Sequence, residues 1–140
     1  MICTKCKKEI APEHIITIES KEDMCYLCYK LEKKTVCIDF DGVISQYTGW
    51  QGPHHMGEPM PGVAEFLQEI WQEYNLVIHT TRDVESVYRW LKYYDLDGFI
   101  YQITNKKIPA VVYIDDRALP FQGSFITLSH QIKNFKPHWK

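Results

Sequence analysis

The chain has 140 residues, 45% of them hydrophobic and 24% charged, with a formal net charge of −2. That length holds one ordinary domain with a small appendage, and the composition excludes a disordered or fibrous chain. No apolar stretch approaches a membrane span, and the near-neutral charge gives no strong non-specific grip on nucleic acid.

The opening residues, Met1-Ile2-Cys3-Thr4-Lys5, lack the basic-then-apolar order of a secretion signal, so a cytoplasmic, reducing location is expected. Residues 1–34 stand apart from the rest, with four of the five cysteines and seven Lys against six Asp or Glu. The cysteines fall as Cys3-x-x-Cys6 and Cys25-x-x-Cys28, with 18 residues between the pairs. Two close thiolates per pair and a medium spacer supply four sulfur ligands in a tetrahedral array, a closed structural Zn²⁺ site. So short a segment cannot bury enough apolar surface to fold alone, and a metal clip meets that need. Two disulfides would suit a reducing compartment poorly. The knuckles resemble a zinc-ribbon or treble-clef element, and the scarcity of Arg argues against a dedicated DNA reader.

From Thr35 onward, apolar runs alternate with amphipathic stretches, the pattern of βαβ units. A first strand is expected over 35–40, with Cys37 inside it as a small buried hydrophobe, ending in Asp39-Phe40-Asp41-Gly42. The loop 45–59 is too short for a separate cap domain. Its Tyr47, Trp50, His54 and His55 would either stack on a base or sugar or pin the loop to the body. Pro61 suits the first turn of a helix with the stripe Val63, Phe66, Leu67, Ile70, Trp71 and Tyr74. Leu76-Val77-Ile78 predicts the second strand, ending at His79-Thr80-Thr81-Arg82. Asp83 is placed to cap a second helix with the stripe Val84, Val87, Tyr88, Leu91 and Tyr94. Further strands are expected over 99–101, over 110–114, which closes on Asp115-Asp116-Arg117, and at the edge over 125–128. The last dozen residues, with Phe135 and Trp139, either pack back or stay loose.

These elements predict an α/β domain over 35–140, a parallel sheet flanked by helices, behind a zinc module over 1–34. In such sheets ligands bind beyond the strand ends, where Asp39, Asp41, Asp115 and Asp116 fall. Four converging carboxylates repel one another unless a cation joins them. An oxygen-only set suits Mg²⁺, which also binds phosphate. The acids therefore point to magnesium-dependent phosphate chemistry.

Four motifs carry a resemblance: Asp39-Phe40-Asp41-Gly42-Val43, then Thr80 after an apolar strand, then the Lys106-Lys107 pair, then Ile114-Asp115-Asp116-Arg117-Ala118. In this order they resemble the haloacid dehalogenase superfamily, over about residues 35–123, and in particular its small capless phage and bacterial phosphatases. The resemblance implies a Rossmannoid sheet and a phosphatase that works through an aspartyl-phosphate. Asp39 would be the nucleophile and Asp41 the general acid and base. Thr80 would hold a phosphoryl oxygen, and Lys107, or its neighbour Lys106, would offset charge. Asp39, the Asp41 main-chain carbonyl and Asp115 would hold Mg²⁺, with Asp116 binding it directly or through water. The implied partner is a phosphorylated substrate: a nucleotide, a nucleic-acid end or another phosphate ester. The zinc module would contact substrate or mediate oligomerisation. An interaction scaffold with vestigial chemistry, or a phosphotransferase sharing the same covalent step, are the alternatives.

Overall fold

The computed structural model of the chain describes residues 15–18, 21–25 and 33–140. Strands β1 (Ile15–Ile18) and β2 (Lys21–Cys25) form an antiparallel hairpin. Cys25 closes β2; Cys3, Cys6 and Cys28 of the expected zinc set lie outside the described residues. No described helix is long and apolar enough to cross a membrane.

The body is a four-stranded, all-parallel sheet in the order β5-β4-β3-β6. Its strands are β3 (Lys34–Asp39), β4 (Tyr74–His79), β5 (Gln102–Thr104) and β6 (Val112–Ile114). Helices α1 (Val63–Ile70), α2 (Val84–Tyr93) and α3 (Leu128–Asn134) flank it. The two inner strands, β3 and β4, are buried on both faces, which is why they read as continuous apolar runs. Alternate residues Val36, Ile38, Leu76 and Ile78 join Val63 and Leu67 of α1 and Val87, Trp90 and Leu91 of α2 in one core. Cys37 and Val77 alternate with them and face the other side of the sheet, where both are buried. Each fully buried Leu or Ile here contributes about 1.5–3 kcal/mol. The Trp90 ring meets Phe40 edge-on at 4.9 Å, and its indole N–H donates to the Gly57 carbonyl at 2.9 Å. Trp90, absent from the expected stripe, thus ties α2 to the loop before α1.

Asp83 caps α2 as expected, its Oδ2 accepting from the Ser86 N–H at 3.0 Å. Three other expectations shift. The α1 cap is Gly62 at φ +85°, so Pro61 precedes the helix rather than entering its first turn. After α2, Asp95 takes φ +58°, the Asp95 N–H donates to the Lys92 carbonyl at 3.1 Å and Leu96 N–H to the Leu91 carbonyl at 2.8 Å. This double closure, with Leu96 buried against the core, leads into a 3₁₀ turn at Asp97–Phe99, so β5 starts at Gln102 instead of residue 99. The edge strand expected over 125–128 does not form. Phe125 and Ile126 stay exposed, the Leu128 N–H turns back to the Phe125 carbonyl at 3.2 Å, and α3 begins there.

Candidate active site

Sheet register builds the site. β3 and β6 pair through Ile38 and Ile114, so the next residues, Asp39 and Asp115, leave the sheet side by side. On the other flank Asp39 pairs with His79, which pairs with Thr104. Because every strand runs the same way, all these termini open onto one edge. Asp39, Asp115 and Asp116 each bring a carboxylate oxygen within 4.8 Å of the others, a grouping able to hold a metal ion. A cleft follows, lined by Asp39, Asp41, Thr80, Asp115 and Asp116, with Tyr47, Trp50, His79, Thr81 and Arg117 completing its wall.

Crowding decides the protonation of the cluster. Burial, the hydrogen bond shared with Asp116 and the charge of Asp115 together push Asp39 up to about 8. Burial alone would raise Asp116 as well, but the Trp139 indole N–H and the hydrogen bond with Asp39 hold it below the ordinary carboxylate value. The opposite shifts favour a proton on Asp39 over one on Asp116 as long as no cation neutralises the cluster. A divalent ion fits this oxygen-only donor set, since it would replace that proton and remove the repulsion.

A pH dependence follows. The folded value of Asp39 exceeds its ordinary 3.8, so its contribution to stability is full below that value and is lost as pH rises through about 8. The opposite shift of Asp116 acts only at more acid pH, below the ordinary carboxylate range. Without metal, the melting temperature should fall between about pH 5 and pH 9, and excess Mg²⁺ should flatten the trend. A metal-free melting temperature constant across that range would contradict the proton on Asp39.

Asp41 sits in a tight turn: Phe40's carbonyl accepts from the N–H groups of Val43, Ile44 and Ser45, and Gly42 adopts φ +82°. Asp41 Oδ2 accepts from Arg82 Nε at 2.7 Å, whereas Oδ1 is buried with no hydrogen-bond partner among the described residues. Arg82 is itself buried, and its remaining nitrogens donate to the Pro53 and His55 carbonyls at 3.3 and 2.8 Å. Its guanidinium also lies 4.8 Å from the centroid of the Trp50 ring. Arg82 thus ties the loop of aromatic and histidine residues to Asp41. His54 and His55 are exposed, while Tyr47 and Trp50 line the cleft. Thr80 is buried beside β5, its N–H donating to the Thr104 carbonyl at 3.0 Å. The Thr80 Oγ1 accepts from the backbone N–H of Arg82 at 3.0 Å, leaving its own hydroxyl proton for another acceptor.

The two lysines are placed elsewhere. Lys106 and Lys107 are exposed and do not line the cleft, and the Lys107 ammonium lies 4.8 Å from the centroid of the Tyr113 ring. The cation on the cleft wall is Arg117, whose backbone N–H donates to Asp115 Oδ1 at 2.8 Å. The C-terminal tail packs back: Pro137 is buried, His138 Nε2 meets the Gly42 carbonyl at 2.6 Å, and Trp139 Nε1 donates to Asp116 Oδ2 at 2.5 Å. Cys37, beneath the site, is a free buried thiol pushed up by burial and then by the nearby Asp39.

No family model matches the chain, and no curated protein matches it. Among solved structures, the chain is similar to a conserved protein coded by a locus of Bacteroides thetaiotaomicron. The two share 25% sequence identity with a TM-score of 0.50, over 73% of this chain and 91% of the other. The fold is α/β and Rossmann-like. In that fold, the opening beyond the strand ends is where ligands bind, and the acid cluster occupies it.

Proposed function

We propose that the chain is a magnesium-dependent phosphatase of the haloacid dehalogenase superfamily, acting through an aspartyl-phosphate on Asp39. One observation carries this reading: parallel register brings Asp39 beside Asp115 and Asp116 at the strand ends, with Asp41 and Thr80 on the same cleft.

Each residue then has a task. A carboxylate oxygen of Asp39 attacks phosphorus in line as the bond to the leaving oxygen breaks. Asp41, entering the step protonated on Oδ1, the oxygen that Arg82 does not engage, gives that proton to the leaving oxygen and, left as a carboxylate, takes one from the water that cleaves the acyl phosphate. The Thr80 hydroxyl donates to a phosphoryl oxygen. Arg117, on the cleft wall, faces the phosphoryl charge in the role expected of Lys107. Mg²⁺, held by Asp39, Asp115, Asp116 and the Asp41 main-chain carbonyl, would supply charge neutralisation for the phosphoryl oxygens. Tyr47 and Trp50 offer aromatic faces beside this centre, which favours a nucleotide or nucleic-acid end among phosphate esters. For the N-terminal module, Cys3, Cys6, Cys25 and Cys28 would hold a structural Zn²⁺, Cys25 being the last residue of the β1–β2 hairpin.

Release of phosphate from p-nitrophenyl phosphate, with and without Mg²⁺, tests the enzyme reading, with a panel of nucleotides and phosphorylated DNA ends beside it. Mg²⁺-dependent turnover and one zinc per chain by metal analysis are expected. A chain that folds, binds Mg²⁺ and hydrolyses none of these would instead favour the interaction scaffold.

A further inference from the structure

We infer that Trp139 is a positioning residue of the acid cluster: its indole N–H fixes the Asp116 carboxylate, and its ring helps seat Arg117 against the cleft. This rests on the metal-dependent reading of the site above.

The tail is anchored at more than one point. Pro137 is buried, the Lys140 N–H closes a turn onto the Pro137 carbonyl at 3.1 Å, and His138 Nε2 donates to the Gly42 carbonyl at 2.6 Å. That acceptor is a carbonyl, so Nε2 must carry the proton. These contacts carry Trp139 to Asp116, where the 2.5 Å bond engages one carboxylate oxygen and fixes the rotation of the group. Gly42 supplies the space for the meeting. A Cβ there would lie 2.3 Å from Asp116 Oδ2 and 3.0 Å from Trp139 Nε1, and the φ of +82° already favours glycine. Three segments far apart in sequence thus interlock at the metal-binding edge.

The ring has a second task. It packs edge-to-face on Tyr47 at 4.9 Å between centroids. The Arg117 guanidinium lies over both rings, 5.7 Å from Tyr47 and 5.2 Å from Trp139. Attraction to two aromatic faces narrows where that long cation rests, beside the acids and on the cleft wall. Hydrogen-bonding partners of metal ligands orient them, and losing one lowers metal affinity by about 10–100-fold.

Two variants separate the tasks. Trp139→Phe keeps a ring for Tyr47 and Arg117 and removes the N–H; Trp139→Ala removes both. By calorimetry, Trp139→Phe should bind Mg²⁺ about 10-fold more weakly, yet bind inorganic phosphate at saturating Mg²⁺ as the unaltered chain does. Trp139→Ala should weaken both. In an Asp116→Ala background, which removes the acceptor, Trp139→Phe should change Mg²⁺ affinity no further, a non-additivity that a general loss of packing would not produce. Wild-type Mg²⁺ affinity in Trp139→Phe, or full additivity in the double variant, overturns the positioning of Asp116. Unchanged phosphate affinity in Trp139→Ala overturns the seating of Arg117. An unaltered chain that binds no Mg²⁺ overturns the phosphatase reading as well, whereas the preceding outcomes leave that reading standing.

Discussion

Replacing Asp39 with Asn should lower phosphate release by about 10⁴-fold or more, because loss of a covalent nucleophile leaves only binding and charge stabilisation. The substitution is nearly isosteric, and the fold should survive it. Burial and the neighbouring acids push Asp39 up to about 8, which favours its neutral form, and a neutral amide resembles that form. Asn should therefore also abolish the fall in melting temperature toward alkaline pH. Activity within about tenfold of the unaltered chain would remove Asp39 as the nucleophile. Activity lost together with folding would show instead that the carboxyl is structural.

Arg82→Ala should produce the largest loss of stability, about 3–5 kcal/mol by urea unfolding, because it strands a partly buried partner charge. The Arg82 side chain is only 3% exposed and that of Asp41 21%, so solvent screens the pair little. The Pro53 and His55 carbonyls would lose their donor in the same step. Arg82→Lys should recover little, because one ammonium cannot reproduce a planar fork that reaches three separate acceptors. Loss of Asp41's partner should also lower turnover, since the carboxyl would no longer be held over the cleft. A loss below about 1 kcal/mol in Arg82→Ala would mean that the ion pair is no more than a surface contact.

Much of the architecture was legible in the chain because two inner strands buried on both faces leave continuous apolar runs. Val36-Cys37-Ile38 and Leu76-Val77-Ile78 were readable for that reason, and the acid ending the first run marked the sheet edge. The proximity of Asp39 to Asp115 depends on pairing Ile38 with Ile114, a register no local pattern prints, although parallel topology with acids at both strand ends implies it. Edge elements were harder. The run at 125–128 has the composition of a strand but pairs with none among the described residues, and the third strand moved because the Asp95 closure after α2 consumes residues before it. Lys107 fitted a sequence order, yet its side chain meets Tyr113 instead of the cleft. Arg82 was visible beside Thr80, but its partner lies 41 residues away. Trp139 was readable only as a tail aromatic that would pack back or stay loose; its place beside the acids appears only once the tail docks by Gly42 and Asp116.

The most direct measurement is acid-quenched turnover followed by peptide mass spectrometry. In the presence of Mg²⁺, a burst of substrate hydrolysis should leave one phosphoryl group on the peptide containing Asp39, lost on treatment with hydroxylamine and missing in Asp39→Asn. Turnover that proceeds with no such adduct, or with the phosphoryl group on another residue, would contradict the account.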